Sequence, residues 1–247
     1  MPGDRRTRII DQLFPRTRTE LGSTQLCEVC AEVTGMTGAG IMLISGDVSQ
    51  GSAGSSDDVS AQIEELQFTL GEGPCVDAYR SDAPVLEPDL ADPVEHRWLG
   101  FSDAALKAGA RAVFGFPLHV GALRFGALNL YRDRTGPLGP EQHADALVMA
   151  DVAAEALLLM QANAPPGTLA TELATEENTR SVVHQAAGMM SAQLEVGVAQ
   201  ALVRLRAYAF SHERRLVDVA RSVVDRRLRF SDEHDELEEA DEDDSSQ

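Results

Sequence analysis

Apolar residues in the first part of the chain follow two different spacings. Helical spacing predicts one short helix over residues 4–14 and a second over residues 21–33. The continuous apolar run at residues 39–44 predicts a buried strand. The glycine- and serine-rich run at residues 49–56 predicts a turn or an irregular second strand. The pattern therefore predicts helices that lead into a sheet.

A hairpin and a long helix follow further along the chain. Residues 112–118 and 125–131 are apolar runs of strand length joined near Gly121, which predicts an antiparallel hairpin. A helix is then predicted from Pro140 to about Gln161. We expect its packed stripe to consist of five apolar residues: Leu147, Val148, Val152, Ala156 and Leu159.

The last third of the chain predicts three more helices. Residues 169–194 and 199–210 carry apolar side chains at helical spacing, with a turn at Gly197 between them. We expect Ser211 to cap the N-terminus of the third helix. Its core face is predicted to contain Leu216, Val219, Ala220, Val223 and Val224. Three helices of this size predict a small bundle.

The formal net charge of −19 is distributed unevenly along the chain. Residues 1–167 carry a net charge of −11 and residues 231–247 a net charge of −10, whereas residues 168–230 hold nine arginines against seven carboxylates. The helical block is therefore the one part that is not acidic. Because its excess is only +2, nucleic-acid binding would depend on clustered arginines and not on bulk attraction.

Composition argues against membrane and secreted proteins. No apolar run approaches the roughly 20 residues that span a bilayer. Arg5 and Arg6 are not followed by the apolar stretch of a secretory signal. Three cysteines provide no disulfide framework. We therefore expect a cytoplasmic protein without a membrane partner.

The cysteines and histidines raise the question of a metal or redox site. Cys27 and Cys30 form a C-x-x-C pattern, which occurs in redox and zinc sites. A zinc site needs about four ligands, and on an amphipathic helix a free cysteine packs as a small apolar residue, so core packing is the favoured interpretation. His96, His119 and His143 have no spaced partner of the kind a metal motif needs. We expect no metal and no cofactor.

Two glycines before a proline suggest a phosphate-binding loop, but the pattern favours a turn. Gly71 and Gly73 lack the order and the lysine of that loop, and Pro74 suits the first turn of a helix. The sequence also contains no nucleophile–base pattern and no dinucleotide fingerprint. We therefore expect no catalytic residues.

The order of these elements resembles a GAF domain, in particular the actinobacterial variety, over about residues 20–162. The run at residues 70–79, the strands at 116–118 and 125–131 and the terminal helix carry the resemblance. It implies a sensor domain with an antiparallel sheet, helices on both faces and often a small-molecule pocket on one face. Four aromatic residues are candidates for lining that pocket, with core packing as the open alternative: Phe68, Trp98, Phe101 and Phe116.

Residues 168–230 resemble an ANTAR domain, an RNA-binding module of bacterial transcription antiterminators. The matching residues lie on all three predicted helices: Arg180, Gln185, Ala186, Gly188, Leu205, Arg206, Ala209, Leu216, Asp218, Val219 and Ala220. A GAF domain followed directly by this module is a known architecture. In one departure, Ala187 stands where the family usually has lysine, so we expect a cation to be missing from the RNA-binding face.

The resemblance implies a homodimer that binds paired hairpins in a leader transcript and prevents terminator formation. The helical stretch from Gly139 to Leu194 is the expected dimer seam. The candidate RNA-binding residues are Arg180, Gln185, Gly188, Arg204, Arg206, Arg214 and Arg215. Two alternatives remain open for the arginines, because exposed arginines are often only solvated and Arg206 could instead pair with Asp218 or Glu213.

The predicted fold class is α+β, with a GAF-like antiparallel sheet flanked by helices and joined by a long helical or coiled-coil region to a three-helix ANTAR bundle. The predicted parts are an N-terminal extension, a sensor, a linker, an RNA-binding domain and a disordered acidic tail, at residues 1–19, 20–162, 163–167, 168–230 and 231–247. The tail either solubilises the protein or competes with RNA for the arginines.

The alternative function is a dimerising signalling adaptor whose helical domain binds protein and not RNA. The missing lysine and the low net charge of residues 168–230 favour this alternative.

Overall fold

The chain divides into two compact units, Met1–Leu169 and Ala170–Gln247. The computed structural model describes residues 2–13, 22–45, 48–93, 97–163, 169–212 and 214–230. For some of these only the backbone is described, namely residues 2, 3, 45, 48–50, 163, 169–181 and 199. The predicted acidic tail and most of the predicted linker lie outside the described residues.

The first unit mixes helices and strands along the chain. Its helices are α1 (Pro2–Leu13), α2 (Ser23–Thr34), α3 (Asp58–Leu70), α4 (Pro74–Ser81), α5 (Leu99–Ala108) and α6 (Pro140–Asn163). Its strands are β1 (Gly38–Ser45), β2 (Val48–Ser55), β3 (Val85–Glu87), β4 (Ala112–Val120) and β5 (Leu123–Arg132). Every element predicted for this part of the chain is present, with ends that differ by a few residues.

The strands form one antiparallel sheet in the order β2-β1-β5-β4-β3. The predicted α+β class and the GAF-like antiparallel sheet are confirmed. The β1–β2 pairing shifts register twice, after Ile41 and after Leu43. Of the two structures predicted for the glycine-rich segment, a turn or an irregular strand, the irregular strand is present. It forms an edge of the sheet.

Alternate residues of the strands face two different helical layers. Phe114, Phe116 and Leu118 join the core formed with α1, α2 and α6. Val113 and Tyr131 belong to the core on the opposite face, where α3, α4 and α5 lie. This alternation is the two-residue period of a strand that is covered on both faces.

Helices α3 and α4 approach the central strands very closely at two glycines. A Cβ atom built on Gly40 would lie 2.7 Å from Cγ and Oε1 of Glu64 on α3, and one on Gly115 would lie 2.5 Å from the carbonyl oxygen of Pro74 on α4. Gly40 and Gly115 flank Asn129 on β5, one on each neighbouring strand. The absence of side chains at the two glycines thus allows both helices to lie directly on the sheet around Asn129.

Helix α1 falls within the predicted N-terminal extension, but it packs into the core of the first unit. Ile9 is fully buried there. Arg5 donates hydrogen bonds to the side chains of Glu141 at 2.7 Å and Asp145 at 2.6 Å, and Arg8 also pairs with Asp145. Helix α1 is therefore attached to α6 by both apolar and ionic contacts.

The predicted stripe of α6 was partly wrong. Leu147 and Leu159 are 41% and 62% exposed. Val152 is buried as predicted, and Val148 and Ala156 are partly buried against the core. The rest of the core face consists mainly of alanines, together with Met149 and Leu157: Ala146, Ala150, Ala153 and Ala154. Counting large aliphatic residues favoured the leucines, whereas alanines allow the helix to lie close against the sheet and α2.

The second unit contains three helices in its described residues: α7 (Leu169–Leu194), α8 (Val198–Ser211) and α9 (Leu216–Val224). Each buries an apolar face, as predicted, represented by Met190, Leu205 and Val219 at 0% exposure. The prediction that Ser211 caps α9 was wrong. Ser211 ends α8, where its hydroxyl donates to the Tyr208 carbonyl, and Arg215 occupies the N-cap position of α9.

Replacing Gly115 with alanine should destabilise the sensor unit. The added methyl group would meet backbone atoms of Pro74 and Cys75, which cannot move without shifting α4, so we expect a loss of about 1–3 kcal/mol in the free energy of unfolding. Urea unfolding followed by the fluorescence of Trp98, the single tryptophan, measures this unit.

Gly139→Ala is the matched control for this prediction. Its nearest neighbour would be the flexible end of Gln142 at 3.6 Å, so we expect little change. Equal unfolding midpoints for the two variants would contradict the close approach of α4.

Candidate sensor and RNA-binding sites

Three buried polar side chains lie between α3 and the sheet, and we call Glu64, Gln67 and Asn129 the polar cluster. Their relative exposures are 1%, 0% and 1%. Five of their polar atoms are buried without a hydrogen bond of good geometry: both carboxylate oxygens of Glu64, Nε2 of Gln67 and both amide atoms of Asn129. The Asn129 side chain nevertheless lies near enough to Glu64 to act as a weak hydrogen-bond partner. Buried polar groups are normally paired, so a concentration of unpaired ones requires an explanation such as a bound water, ion or ligand.

The backbone positions this cluster through the two close approaches described above. Glu64 lies over Gly40, whose cross-strand partner is Asn129. Oε1 of Gln67 accepts a hydrogen bond of 2.8 Å from the backbone N–H of Cys75 at the start of α4. Gly73, with φ of +129°, leaves room for the Gln67 side chain. The cluster therefore lies where α3, α4 and the sheet meet.

Burial dominates the electrostatics of the cluster. Desolvation raises the pKa of Glu64 from 4.5 to about 8, and the nearby Asn129 side chain offsets this only in part. Burial, and next the charge of Glu64, raise the pKa of the Cys75 thiol. Near neutral pH the Glu64 carboxyl is therefore partly protonated, and each ionisation places an uncompensated charge inside the protein.

The four predicted pocket aromatics are all buried, but they do not share one surface. Trp98 and Phe101 contact each other edge to face at 6.1 Å in the core on the α3 side of the sheet. Phe116 lies in the core on the opposite face, with His143 5.9 Å away. Phe68 is buried on α3, directly after Gln67. Phe116 is therefore separated from the other three by the sheet.

The polar groups around Trp98 and Phe101 are paired, unlike those of the polar cluster. Trp98 Nε1 donates to Asp77 at 2.9 Å. Oε1 of Glu72 accepts from the backbone N–H groups of Gly100 and Phe101, at 2.9 and 3.0 Å, and so satisfies the N-terminus of α5. The polar groups of this corner are therefore satisfied within the fold, whereas most of those in the polar cluster are not.

Sequence reasoning did not single out the polar cluster. The available signal was Asn129, a polar residue in the apolar run of β5 at a position that faces the interior. Glu64 and Gln67 occupy core-facing positions of α3, but charged and amide residues on a helix are usually read as its solvated side.

The cysteines pack in the core, as predicted. Cys27 and Cys30 are fully buried on α2, and burial raises the pKa of Cys30 to about 12. Such thiols are poor nucleophiles and poor metal ligands. His119 is exposed on β4, and His96 lies outside the described residues. Within the part of the chain that the structure describes, no three potential metal ligands come together.

Glycine positions confirm the turn interpretation of the loop before α4. Gly71 ends α3 with φ of +68°, and Gly73 precedes Pro74 at the first position of α4. The two glycines thus form the reversal between helices.

In the second unit, two candidate arginines lie at the corner between α8 and α9. Arg214 and Arg215 are both exposed. The backbone N–H of Arg214 donates to the Ala209 carbonyl at 2.9 Å, and its guanidinium donates to the Ser222 hydroxyl at 3.2 Å. The corner is therefore held against α8 by its backbone, with Arg214 supported by α9.

Two further candidates lie on the exposed side of α7. Gln185 and Gly188 are both exposed, and a Cβ atom built on Gly188 would meet nothing within 4 Å. Packing within the described structure therefore gives no reason for a glycine here. Arg180 lies on the part of α7 whose side chains are outside the described residues.

The expectation for Ala187 needs correction. Ala187 is 0% exposed, together with Ala186 and Met190. It belongs to the packing face of α7 and not to the face of Gln185 and Gly188. A lysine at this position would have to extend its stem along the bundle to reach solvent.

Arg204 and Arg206 on α8 are half-buried. The Nε atom of the Arg206 guanidinium is buried. The alternative in which Arg206 pairs with Asp218 or Glu213 stays a prediction, and Glu213 lies outside the described residues. The arrangement separates two half-buried arginines on α8 from two exposed ones at the corner.

Comparison with protein families identifies both units. The GAF domain model matches residues 23–157 and the ANTAR domain model matches residues 171–224. The chain belongs to the GAF family. Its GAF domain is followed by an ANTAR domain, as the sequence resemblance predicted. GAF domains are sensory and ANTAR domains bind RNA in antiterminators, so both are regulatory domains.

Solved structures resemble the chain only distantly. The GAF domain of a phosphoenolpyruvate-protein phosphotransferase from Acinetobacter is 11% identical, with a TM-score of 0.46 over 66% of this chain and 96% of that one. The corresponding domain from Coxiella burnetii is 13% identical, with a TM-score of 0.45 over 64% and 95%. A type II free methionine-R-sulfoxide reductase from Thermoplasma acidophilum is 15% identical, with a TM-score of 0.42 over 56% and 93%.

Similarity at this level carries no argument about function. Comparison with curated proteins finds no match. Among the described residues, no helix has the length and apolar character required to cross a membrane.

Replacing Glu64 with glutamine should remove a pH-dependent destabilisation of the GAF domain. The raised pKa of Glu64 means that between pH 4.5 and about 8 the folded state binds one proton more than the unfolded state. Stability should therefore fall with rising pH across this window, by about 1.4 kcal/mol per pH unit, and the loss should be complete above pH 8.

The measurement is urea unfolding of wild-type protein and Glu64→Gln at pH 5, 6.5 and 8, followed by Trp98 fluorescence. The variant's advantage should grow with pH. Glu65→Gln, at the next position of α3, is the control. A constant difference between wild type and Glu64→Gln would show that Glu64 does not titrate in this range.

Proposed function

We propose that this protein is a signal-responsive transcription antiterminator that binds hairpins in leader transcripts through its ANTAR domain. The exposed corner formed by Arg214 and Arg215 carries the proposal. It presents two cations to solvent within a domain of an RNA-binding family. Arginine binds phosphates bidentately and stacks on unpaired bases, which are the two features that hairpin loops display.

The exposed Gly188 supports a close approach of the bound RNA to helix α7. Glycine in a helix interior costs roughly 0.5–1 kcal/mol relative to alanine, and here it leaves open space. A glycine that the fold itself does not need is explained by a backbone or base that approaches the helix at this point. Gln185, exposed one turn earlier, offers an amide for hydrogen bonding at the same surface.

The sensor part of the proposal rests on the polar cluster. A small molecule or ion that supplied partners for its five unpaired atoms would stabilise one packing of α3 and α4 against the sheet. A signal can act only through such a difference in binding between two states. Helices α3 and α4 are thus the proposed moving parts of the GAF domain.

A homodimer is part of the proposal, because paired hairpins require two binding domains. Leu147 and Leu159 of α6 are exposed, on the helix that begins the predicted seam. A second copy would cover these leucines. A cytoplasmic location accompanies this function, since leader transcripts are made there.

The adaptor alternative is favoured by one observation. Val198, Val203 and Phe210 on α8 are 51%, 61% and 49% exposed. Val203 and Phe210 lie on one side of the helix, and exposed apolar side chains of this kind also suit a protein partner. Salt dependence distinguishes the two functions, because phosphate contacts weaken steeply with salt and apolar contacts do not.

Replacing both corner arginines with alanine should weaken RNA binding and its salt dependence. For Arg214→Ala/Arg215→Ala in the full chain, we expect the slope of log K against log salt to fall in magnitude by about 1–2, corresponding to the lost phosphate contacts. The RNA is a hairpin selected with the wild-type protein from a library with randomised loops, and binding is measured by fluorescence anisotropy from 50 to 300 mM salt.

Arg111→Ala/Arg134→Ala is the matched control, since it removes two exposed arginines from the GAF domain. An equal effect of the two double variants would show that the loss of net charge, and not the position of the corner arginines, causes the weaker binding. Failure to select any RNA with the wild-type protein would argue for the adaptor.

Gly188→Ala should separate stability from binding. The methyl group improves helix propensity, so amide exchange across residues 182–194 should slow, by up to the equivalent of about 1 kcal/mol. RNA binding should weaken by about tenfold, because the methyl occupies space that the partner needs. Gly197→Ala, another glycine with nothing within 4 Å, is the control. Unchanged RNA affinity would remove Gly188 from the proposed interface.

A further inference from the structure

Helix α8 carries an exposed apolar stripe that the proposed RNA contacts leave unused. Val203, Ala207 and Phe210 are exposed and follow each other at spacings of four and three, which places them on one side of the helix. The stripe is about 10 Å long at 1.5 Å per residue. We call these three residues the α8 stripe.

Phe210 differs from every other aromatic residue that the structure describes. It is 49% exposed, and it is the one aromatic ring among the exposed large apolar side chains of those residues. Its neighbour Tyr208 is 4% exposed, stacked on His212 at 3.9 Å and edge to face with Phe230 at 5.1 Å. The end of α8 is therefore anchored by Tyr208, and the Phe210 ring remains exposed.

Arginines lie near this end of the stripe. Arg206 precedes Phe210 by one helical turn on the same side of α8. The hydrogen bond from Arg214 N–H to the Ala209 carbonyl places the arginine corner next to Phe210 along the backbone. Helix α8 itself contains two arginines and no acidic residue.

This charge pattern favours one occupant over the others. A second copy of α8 would bring like charges together, which is unfavourable. An apolar protein helix would cover the stripe but would offer nothing that complements the positive charge of Arg214 and Arg215. An unpaired RNA base has an apolar face for the ring and a phosphate for the arginines, so it complements both features.

We propose that Phe210 is a stacking platform for an unpaired base in the loop of the bound RNA, with Arg214 and Arg215 holding the adjoining phosphates. This inference rests on the proposed RNA-binding function and adds to it the contact that orders a loop base. The remainder of the α8 stripe, Val203 and Ala207, borders the sugar and the edge of that base.

The test compares substitutions of Phe210 that keep apolar area with those that keep an aromatic ring. Stacking of one base on an aromatic ring contributes substantially to the binding free energy, whichever base it is. We therefore expect Phe210→Leu to weaken binding of the selected hairpin about 5- to 100-fold. Phe210→Trp should bind within about threefold of wild type, because it retains a flat ring. Val198→Leu is the control for added apolar area, because Val198 is exposed on the same helix but lies off the stripe, and it should change affinity little.

A second readout reports the stacking contact itself. The selected hairpin carries 2-aminopurine at each loop position in turn, and one position should show a fluorescence change with wild type and Phe210→Trp that is lost with Phe210→Leu. Far-ultraviolet circular dichroism verifies that each variant keeps its helices.

The outcomes separate this inference from the function on which it rests. Equal affinity of Phe210→Leu and wild type for the hairpin, or equal losses in the leucine and tryptophan variants, would overturn the stacking contact. Retention of RNA binding by Phe210→Leu together with loss of dimerisation would assign the stripe to a second copy. Absence of any RNA selected by the wild-type protein would instead overturn the proposed function.

Discussion

The fold depends on the direct contact of α3 and α4 with the middle of the sheet. Gly40 and Gly115 carry no side chain, so the two helices lie almost on the backbone of the neighbouring strands. Glu64 and the start of α4 occupy the space that Cβ atoms would otherwise take. The contact places Asn129 of β5 between the two glycines and seals the polar cluster from water. The close contact of α3 and α4 with the sheet therefore determines how the helices lie on this face, why the polar cluster is buried and why its electrostatics are dominated by desolvation.

A sealed cluster with unpaired groups sets the energetic character of the GAF domain. Among the described residues no cation compensates the ionised form of Glu64, so burial raises its pKa and stability falls as pH increases. Unsatisfied buried groups of this kind are expensive, and natural proteins keep few of them. A domain that is destabilised at the contact between its helices and its sheet responds strongly to anything that binds there. This is a physical basis for sensing, and it needs no catalytic group.

The ANTAR domain works with a nearly balanced charge. Because its excess over the acidic residues is small, position matters more than number: two arginines are exposed at the corner and two are half-buried on α8. Open space at Gly188 and the exposed ring of Phe210 add shape to this weak electrostatic surface. RNA loops are recognised by shape and stacking as much as by charge, so a domain with little net charge remains suited to them.

The amino-acid sequence by itself determined most of the secondary structure and both families. Local patterns were sufficient because helix spacing, strand runs and capping glycines depend on near neighbours along the chain, and even the irregular β2 followed from its glycines. Local pattern was insufficient to predict which residues of α6 pack in the core and which residue begins α9. Alanines form most of the core face of α6, whereas Leu147 and Leu159 are exposed. The N-cap position of α9 is occupied by Arg215 and not by Ser211.

Only the tertiary structure decided which polar residues are buried and which arginines are exposed. Asn129, Glu64 and Gln67 come together from a strand and a helix far apart in sequence, and Phe116 is separated from Trp98 by the sheet. Ala187 is turned into the bundle, although the family resemblance led us to expect this position on the RNA-binding face. The physical reason is that burial is a property of three-dimensional neighbours, which the spacing of residues along one element does not specify.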